Sequence, residues 1–507
     1  MEDNSYIQLK NITKKFGTVK ANENINLDVR SGEIHALLGE NGSGKSTLMS
    51  ILSGIYSPDE GSIYIGGKEV SFDSPKAAIN AGIGMVHQHF KLVDVLTAQE
   101  NIIAGYSGGL FIDKAKMTEK IIAICKKYGL VLNPHKKIYN MSVGEKQTIE
   151  IIKVLYRGAN VLILDEPTAV LTPQETKVLF DIMRNMKREG CAVIIITHKM
   201  NEVLEISDRV TVLRKGESIC TLDTKKTTAG ELTELMVGKT INLDIPCVSV
   251  EPSLIKQILD VKNLTVLNGE RRTAVDSVSF TLNSGEILGV AGIADSGQKE
   301  LCEAITGMQK IKSGEIVFNG ESLVGLSPRD IIKRGISLSF VPEDRLGMGL
   351  VAGMDIVDNV LLKSYHNMPG AFLDRKDGKE KAEGIVSRFD ISTPGTSQIV
   401  KRLSGGNIQK VLLGREIELN PQLLITAYPV RGLDIGASYN IYDVLNEQKQ
   451  KGIGILFIGE DLDVLLSLCD RVVVLHRGKI MDTVNPKEVT KEQVGLLMSG
   501  VREGDYD

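Results

Sequence analysis

The sequence predicts an α/β protein made of two tandem copies of one domain, each with a mostly parallel sheet flanked by helices. Short apolar runs rich in Val and Ile, such as Asn160–Leu164 and Ala192–Ile196, have the length of buried strands. They alternate with longer amphipathic segments such as Thr172–Glu189, which predict helices. Because parallel strands need long and usually helical connections, this alternation favours a parallel sheet.

An internal repeat indicates that the domain occurs twice. Short motifs of the first half recur in the second half in the same order and at a nearly constant separation. The pairs are Ser31–Ile34 with Ser284–Ile287, Ser142–Gly144 with Ser404–Gly406, and Asp208–Val210 with Asp470–Val472. A stretch that contains Pro246 and Pro252 and has no helical period separates the copies. We therefore predict a first domain at residues 1–242, a linker at 243–255 and a second domain at 256–507.

The composition excludes several classes of protein. The chain has 60 basic and 64 acidic residues and a net charge of −4, which is not the basic footprint of a nucleic-acid binder. Its six cysteines are scattered without a Cys-x-x-Cys spacing, so we expect neither a disulfide framework nor a zinc site, and a reducing cytosol fits. The apolar runs are far shorter than the roughly 20 residues of a membrane span. The N-terminus, Met1–Asn4, also lacks the basic start and apolar run of a signal peptide. We therefore expect the chain neither to carry a signal peptide nor to cross a membrane.

A phosphate-binding loop is predicted in the first half. The segment Gly39–Ser46 fits the G-x-x-x-x-G-K-[ST] pattern, with a predicted strand at Ile34–Leu38 and a predicted helix at Ser46–Leu52. In such a loop, backbone N–H groups and the helix N-terminus face phosphate oxygens, Lys45 reaches the β- and γ-phosphates, and the Ser46 hydroxyl binds Mg²⁺. The plainer interpretation is a glycine-rich turn. The predicted ATP-binding residues of the loop are Gly39, Glu40, Asn41, Gly42, Ser43, Gly44, Lys45, Ser46 and Thr47.

Two adjacent acids end a predicted buried strand, Val161–Leu164. We predict that Asp165 holds Mg²⁺, usually through water, and that Glu166 is the base that polarises the attacking water. The plainer interpretation is that both acids only end the strand at the surface. The combination with the phosphate loop favours nucleotide hydrolysis.

The order of these motifs resembles the ATP-binding subunits of ABC transporters over essentially the whole chain. Ser142–Glu145 is similar to the signature of that family, which is usually written LSGGQ, and Leu403–Asn407 in the second copy is closer to it. The resemblance implies two ABC-type P-loop NTPase domains, in which an antiparallel β portion and a helical subdomain are added to the parallel sheet.

The fused double form resembles the ATPases of bacterial importers for simple sugars and nucleosides. The runs Val86–Val93, Leu155–Ala159 and Ala169–Glu175 are similar to the nucleoside branch. The resemblance implies that the chain powers import of a small solute through two separate integral-membrane permease subunits, with an extracytoplasmic solute-binding lipoprotein as an indirect partner. It also implies a place at the cytoplasmic face of the cell membrane, where one chain would supply both ATPase halves.

Further site residues follow from the same resemblance. Gln88 would ligate Mg²⁺ and sense the γ-phosphate, His198 would contact the γ-phosphate as a catalytic residue, and Phe16 would stack on adenine. The plainer interpretations are a loop glutamine, a structural histidine and a core aromatic. Family members hold ATP between two halves arranged head to tail, so the first phosphate loop would face three residues of the second signature, Ser404, Gly405 and Gly406.

The second copy lacks the residues that carry the chemistry, although its glycines and apolar strands persist. The altered positions are the loop lysine and serine, the acid pair, the glutamine and the histidine. The residues that stand there are Gln298, Lys299, Ala427, Tyr428, Glu343 and Glu460. Lys299 cannot replace Lys45, because one step along a helix turns a side chain by about 100°. We predict a retained fold with lost chemistry.

We therefore interpret the chain as an ATPase with one hydrolytic site and a second site that is weak or does not hydrolyse ATP, with ATP and Mg²⁺ as cofactors. The loop after Gln88, roughly His89–Glu100, would couple hydrolysis to the permeases. One alternative is a soluble double-ABC ATPase that acts on ribosomes or nucleic acid. Another is a regulatory module that binds ATP without catalysis.

Overall fold

A computed structural model describes residues 5–88, 90–105, 114–238, 245–293, 296–340, 349–365, 375–459 and 461–502. The chain divides into two compact units, Met1–Asn242 and Leu243–Asp507. Across the described ranges, no helix combines the length and the apolar character that a membrane crossing needs. All six cysteines are free thiols.

The first unit alternates strands and helices. Its strands are β1 (Ser5–Phe16), β2 (Val19–Arg30), β3 (Ile34–Leu38), β4 (Glu60–Ile65), β5 (Lys68–Val70), β6 (Ile83–Val86), β7 (Val161–Asp165), β8 (Ala192–Thr197), β9 (Arg209–Arg214) and β10 (Glu217–Asp223). Its α-helices are α1 (Lys45–Leu52), α2 (Pro75–Asn80), α3 (Ala98–Ile103), α4 (Lys114–Tyr128), α5 (Val143–Tyr156), α6 (Pro173–Arg188), α7 (Met200–Ile206) and α8 (Ala229–Val237).

These strands form two sheets of different character. The larger sheet has the order β10-β9-β3-β8-β7-β6 and is parallel except for the antiparallel edge strand β10. The smaller sheet, β2-β1-β4-β5, is antiparallel. Helices α3, α4 and α5 pack against one another and form the helical part of the unit. The predicted combination of a mostly parallel core, an antiparallel β portion and a helical subdomain is confirmed.

Local sequence explains where these elements begin. The predicted strands at Asn160–Leu164 and Ala192–Ile196 correspond to β7 and β8, whose interiors are fully buried. Helix α6 begins one residue after Thr172, because the Thr172 hydroxyl accepts the Glu175 N–H while the Glu175 carboxylate accepts the Thr172 N–H. Pro173 occupies the first turn, where no N–H is needed. Helix α1 begins at Lys45, one residue earlier than the sequence predicted.

The second unit has its own strands and helices. Its strands are β11 (Gln257–Leu267), β12 (Thr273–Asn283), β13 (Ile287–Gly292), β14 (Ile311–Phe318), β15 (Glu321–Ser322), β16 (Ile336–Phe340), β17 (Leu423–Ala427), β18 (Gly454–Ile458), β19 (Arg471–His476) and β20 (Lys479–Val484). Its α-helices are α9 (Gln298–Ile305), α10 (Pro328–Lys333), α11 (Ile356–Leu361), α12 (Arg375–Arg388), α13 (Gly405–Glu418), α14 (Ile435–Gln450), α15 (Leu462–Leu468) and α16 (Lys491–Met498).

The second unit repeats the topology of the first. Its sheets have the orders β16-β17-β18-β13-β19-β20 and β12-β11-β14-β15, which match the orders of the first unit strand for strand. The larger sheet is again parallel apart from its antiparallel edge strand, β20. A buried asparagine serves the same purpose in both helical parts, since Asn101 binds the backbone of Val93 and Asn359 binds that of Val351. The duplication seen in the sequence is therefore a duplication of fold.

The repeated sequence motifs contact each other across the sheet. In the first unit, the Asp208 carboxylate accepts the N–H of Ile34 at 3.0 Å, and Arg209 lies 3.5 Å from Glu33. In the second unit, Asp470 accepts the N–H of Ile287 at 2.8 Å, and Arg471 lies 2.6 Å from Glu286. These contacts fix the start of the central strand, β3 or β13, against its neighbour. They give a physical reason for the recurrence of these two motifs.

A lysine completes each anchor, and its burial differs between the units. Lys187 binds Asp208 at 2.6 Å with 38% of its side chain exposed, whereas Lys449 binds Asp470 at 2.7 Å with 1% exposed. Removing one partner of a buried ion pair leaves an uncompensated charge, which costs more than the loss of a solvated pair.

We therefore expect Asp470→Ala to destabilise its unit by about 3 kcal/mol and Asp208→Ala to destabilise its unit by about 1 kcal/mol. Urea unfolding followed by hydrogen exchange at Ile287 and Ile34 would separate the two effects. Equal losses of protection in β3 and β13 would contradict the role given to the burial of Lys449.

Candidate active site

The phosphate loop connects the buried strand β3 to helix α1, and two of its glycines are required sterically. A Cβ atom at Gly39 would lie 2.4 Å from the Leu213 carbonyl oxygen. At Gly44, which caps α1 with a left-handed φ of 96°, a Cβ atom would lie 2.4 Å from the Ala21 carbonyl oxygen. The loop therefore lies tightly against the strands behind it. This arrangement leaves its outer side, with the exposed Asn41 and Gly42, to solvent.

The Lys45 amine points back into the loop. It donates to the carbonyl oxygens of Gly39 at 2.6 Å and Glu40 at 2.8 Å, and the residue is 5% exposed. Burial lowers the pKa of Lys45, while the nearby carboxylates of Glu166 and Asp165 act in the opposite direction. The loop thus positions a buried cation beside two acids, where a phosphate group would provide additional anionic partners.

The hydroxyl groups of the loop differ in environment. The Ser43 hydroxyl is buried and has no hydrogen-bond partner among the described residues. Such a group is normally satisfied by a ligand or by water. Ser46 is exposed and Thr47 is half-buried in the first turn of α1. The Ser46 hydroxyl is therefore accessible to a metal ion.

The acid pair lies at the end of β7, next to β8. Glu166 has a left-handed φ of 44°, and its N–H donates to the Ile196 carbonyl oxygen at 2.9 Å. Its Oε1 lies 3.0 Å from His198 Nδ1, and its Oε2 accepts a hydrogen bond from Gln88 Nε2 at 3.3 Å. Gln147 donates to the Pro167 carbonyl oxygen at 2.9 Å and supports the turn that follows. The structure thus brings Gln88, Glu166 and His198 together.

The two carboxyl groups have opposite pKa shifts. Burial, followed by the negative charge of Glu166, raises the pKa of Asp165 to about 6, and Lys45 opposes this rise. The hydrogen bond with His198 lowers the pKa of Glu166 despite burial. Glu166 is therefore held as a carboxylate, the form that a general base needs.

The side chains that the sequence predicts to bind magnesium have the chemistry that this ion needs. Mg²⁺ prefers oxygen ligands, and the Asp165 carboxylate, the Gln88 amide and the exposed Ser46 hydroxyl supply them. Burial and the charge of Glu166 together raise the pKa of Asp165, and a nearby cation would oppose both effects. Ser46, Gln88 and Asp165 are thus chemically suited to the predicted metal role.

Phe16 lies at the end of β1, away from any core position. Its ring is 43% exposed and meets Tyr56 edge to face, with the ring centroids 5.2 Å apart. Sequence reasoning missed Tyr56, which is itself 42% exposed. An accessible pair of aromatic rings is compatible with stacking of a base.

Sequence reasoning also missed a polar group behind the acid pair. Lys199 adds a positive charge that lowers the pKa of Glu166, after His198 and Lys45. Its amine lies 3.1 Å from Glu202, and the same carboxylate accepts the Thr168 hydroxyl at 2.6 Å. The adjacency of Lys199 to His198 was the only signal in the sequence.

The second unit retains the backbone of the site without its side chains. Gly297 has a left-handed φ of 98° and precedes α9, as Gly44 precedes α1. The side-chain amide of Gln298 donates to the Ile293 carbonyl oxygen at 3.1 Å, just as the Lys45 amine donates to carbonyl oxygens of its own loop. Tyr428 has a φ of 55°, and its backbone N–H donates to the Ile458 carbonyl oxygen at 2.8 Å, as the backbone N–H of Glu166 donates to that of Ile196. Lys299 points away, with 53% of its side chain exposed and Glu303 at 3.9 Å.

Other predicted differences lie partly outside the described residues. Ala427 is 1% exposed and packs in the core below Tyr428. Glu343 and Glu460, the residues predicted to replace Gln88 and His198, fall outside the described ranges. The described part of the site thus presents an amide, a methyl group and a phenol where the first unit has an amine and two carboxylates.

Each signature serine caps a helix. The Ser142 hydroxyl accepts the N–H of Glu145 at 3.2 Å and begins α5. The Ser404 hydroxyl accepts the N–H of Asn407 at 3.4 Å and begins α13. Ser404, Gly405 and Gly406 therefore lie at a helix N-terminus, which favours anions. Their participation in the site of the first phosphate loop stays a prediction.

Comparison with known proteins relates the whole chain to one family. The sequence model of the family described as ABC transporter matches residues 22–169 and 275–429. The chain is 43% identical to the nucleoside import ATP-binding protein NupA of Lactococcus lactis, over 99% of both chains. It is 44% identical to the guanosine import ATP-binding protein NupO of Bacillus subtilis, over 97% of both chains.

A sugar importer is also similar. The glucose import ATP-binding protein TsgD13 of Haloferax volcanii is 38% identical, over 98% of this chain and 96% of its own. The two matched segments contain the phosphate loop with the acid pair and their altered counterparts. The chain therefore belongs to the ABC transporter family, as an ATP-binding protein in which the family domain occurs twice.

Proposed function

We propose that this chain hydrolyses ATP at its first phosphate loop to power the import of a nucleoside through separate membrane permease subunits. The observation that carries the proposal is the position of Glu166, held by His198 and Gln88 within the electrostatic reach of the buried Lys45. The printed functions of NupA and NupO favour a nucleoside, and a simple sugar is the second choice. These relatives do not favour a ribosomal or purely regulatory function.

Phosphoryl transfer to water depends mainly on positioning and charge neutralisation. Lys45 and the loop N–H groups neutralise the β- and γ-phosphates of the substrate. A magnesium ion held by Ser46, Gln88 and Asp165 would supply further positive charge. Glu166 orients the attacking water as a carboxylate, and His198 fixes the direction of that carboxylate and contacts the γ-phosphate. The aromatic ring of Phe16 receives the adenine.

Head-to-tail pairing of the two halves completes the site in this proposal. Ser404, Gly405 and Gly406 close on the γ-phosphate bound at the first loop. The second pairing combines Gln298 and Ala427 with the first signature, so it lacks the amine and the acid that hydrolysis needs. ATP therefore holds the halves together at one productive site, and its hydrolysis releases them.

Coupling to the permeases occurs in this proposal through the loop at His89–Glu100, at the cytoplasmic face of the cell membrane. His89 lies outside the described residues. In the described remainder, the side chains of Val93 and Val95 are 49% and 69% exposed, and the N–H of Lys91 binds Glu150 at 2.9 Å. Two permease subunits, a solute-binding lipoprotein and one copy of this chain would form the transporter.

Replacing the base tests the catalytic assignment. We expect Glu166→Gln to lower ATP turnover by roughly 10²–10⁴-fold, the usual contribution of a general base, while ATP still binds the intact loop. Phosphate release and equilibrium ATP binding measure the two effects. Tyr428→Phe is the matched control in the second unit and should leave the rate unchanged. An unchanged rate in Glu166→Gln would refute the assignment.

Replacing each signature serine tests the pairing of the halves. Both serines cap helices, so each alanine variant loses about 1 kcal/mol of capping energy. We expect Ser404→Ala to lower the ATPase rate by roughly 10²-fold, as the loss of one preorganised donor does, and Ser142→Ala to leave the rate nearly unchanged. The head-to-tail assignment is wrong if the two variants lose activity equally.

Restoring one acid tests the degenerate second site. Ala427→Asp supplies the missing metal ligand, while Gln298 and Tyr428 still replace the lysine and the base. We expect no increase in kcat, measured as phosphate release at saturating ATP and Mg²⁺. A doubled kcat would contradict this prediction, because it would show that the missing acid alone keeps the second site inactive.

A further inference from the structure

The signature of the first unit already holds a carboxylate at its helix N-terminus. Glu175 Oε1 lies 3.4 Å from the Ser142 hydroxyl oxygen and accepts the N–H of Gly144 at 3.3 Å. Its other oxygen, Oε2, accepts the N–H and the hydroxyl of Thr172 at 3.0 and 3.2 Å. The same side chain thus caps α6 and binds two signature donors.

A second carboxylate reinforces the negative charge at this position. Glu145 Oε2 accepts the Ser142 N–H at 2.8 Å, and Glu145 pairs with Lys136 at 2.7 Å. Although burial opposes the shift, the bonds with Lys136 and Ser142 lower the pKa of Glu145, so it is charged at neutral pH. The three donors Ser142 N–H, Ser142 O–H and Gly144 N–H all have carboxylate partners.

The second signature has no carboxylate in either place. Asp434 caps α14 as Thr172 caps α6. The residue three positions after the cap, which is Glu175 in the first unit, is Ala437 here, and its N–H donates to the Asp434 carboxylate at 2.7 Å. Asn407 takes the place of Glu145 and donates to the Ser404 hydroxyl through its N–H and its side-chain amide. The two positions that carry Glu145 and Glu175 at the first signature therefore carry Asn407 and Ala437, which are uncharged, at the second.

We propose that Glu175 excludes a nucleoside triphosphate from the site built on the first signature, because its carboxylate occupies the donors that the γ-phosphate would use. The inference rests on the head-to-tail pairing of the proposed function. Since like charges repel, Glu175 and Glu145 together oppose the binding of a phosphate at this helix N-terminus. Two features of the second site thus disfavour ATP binding: its altered phosphate loop, and the carboxylate bound to the first signature.

The first experiment supplies the missing loop residues and then removes the carboxylate. The background chain carries Glu166→Gln to stop hydrolysis, together with Gln298→Lys, Lys299→Ser and Ala427→Asp. ATP retained per chain after gel filtration with Mg²⁺ is counted with Glu175 present and with Glu175→Ala. We expect one ATP with glutamate and two with alanine.

The first site serves as an internal folding control in this experiment, because its single ATP shows that the chain is intact. Retention of two ATP molecules with Glu175 present would overturn the proposal, and so would retention of one ATP in the alanine variant. Retention of no ATP by the Glu166→Gln chain without the other changes would refute the proposed function instead.

The reciprocal experiment places a carboxylate at the second signature of the otherwise native chain. We expect Ala437→Glu to lower the ATPase rate at least roughly tenfold, and the uncharged isostere Ala437→Gln to lower it less. ADP binding, which does not need the signature, checks that the first loop is folded. A native rate in Ala437→Glu, or equal losses in both variants, would overturn the proposal.

Discussion

The electrostatics of the first phosphate loop depend on the balance of charge between one buried amine and two adjacent carboxyl groups. Lys45 is enclosed by loop carbonyl groups, and Asp165 and Glu166 oppose the effect of burial on its pKa. Burial, together with the negative charge of Glu166, raises the pKa of Asp165 to about 6. In the proposed function, a metal-bound triphosphate would bring anions to the amine and a cation to the acids.

Much of the fold could be predicted because its signals are local or repeated. The strands β7 and β8 are continuous apolar runs, and the loop with Lys45 has a specific spacing. The duplicated topology followed from the recurrence of short motifs. The contacts between Glu33 and Arg209 could not be predicted, because they join residues far apart in the chain and depend on sheet order.

The candidate site shows the same division between local and long-range information. Lys45, Asp165 and Glu166 belong to motifs whose residue types state their chemistry. The positions of Gln88 and His198 on the two oxygens of Glu166 arise from the order of β6, β7 and β8 in the sheet. The contact between the Glu175 carboxylate and the first signature could not be predicted from the sequence. A glutamate at this position commonly caps its own helix, and only the structure shows that it also binds Ser142 and Gly144.

The matching topologies of the two units have an evolutionary consequence. Two copies with the same strand order and the same Asp–strand anchors imply that a single-domain ancestor was duplicated within one gene. In a homodimer of such an ancestor, every substitution would appear in both sites at once. Duplication of the coding sequence removed that obligation, so one copy could lose its lysine and acids while the other copy kept them. The covalent linkage then keeps the altered copy and the intact copy together in every chain.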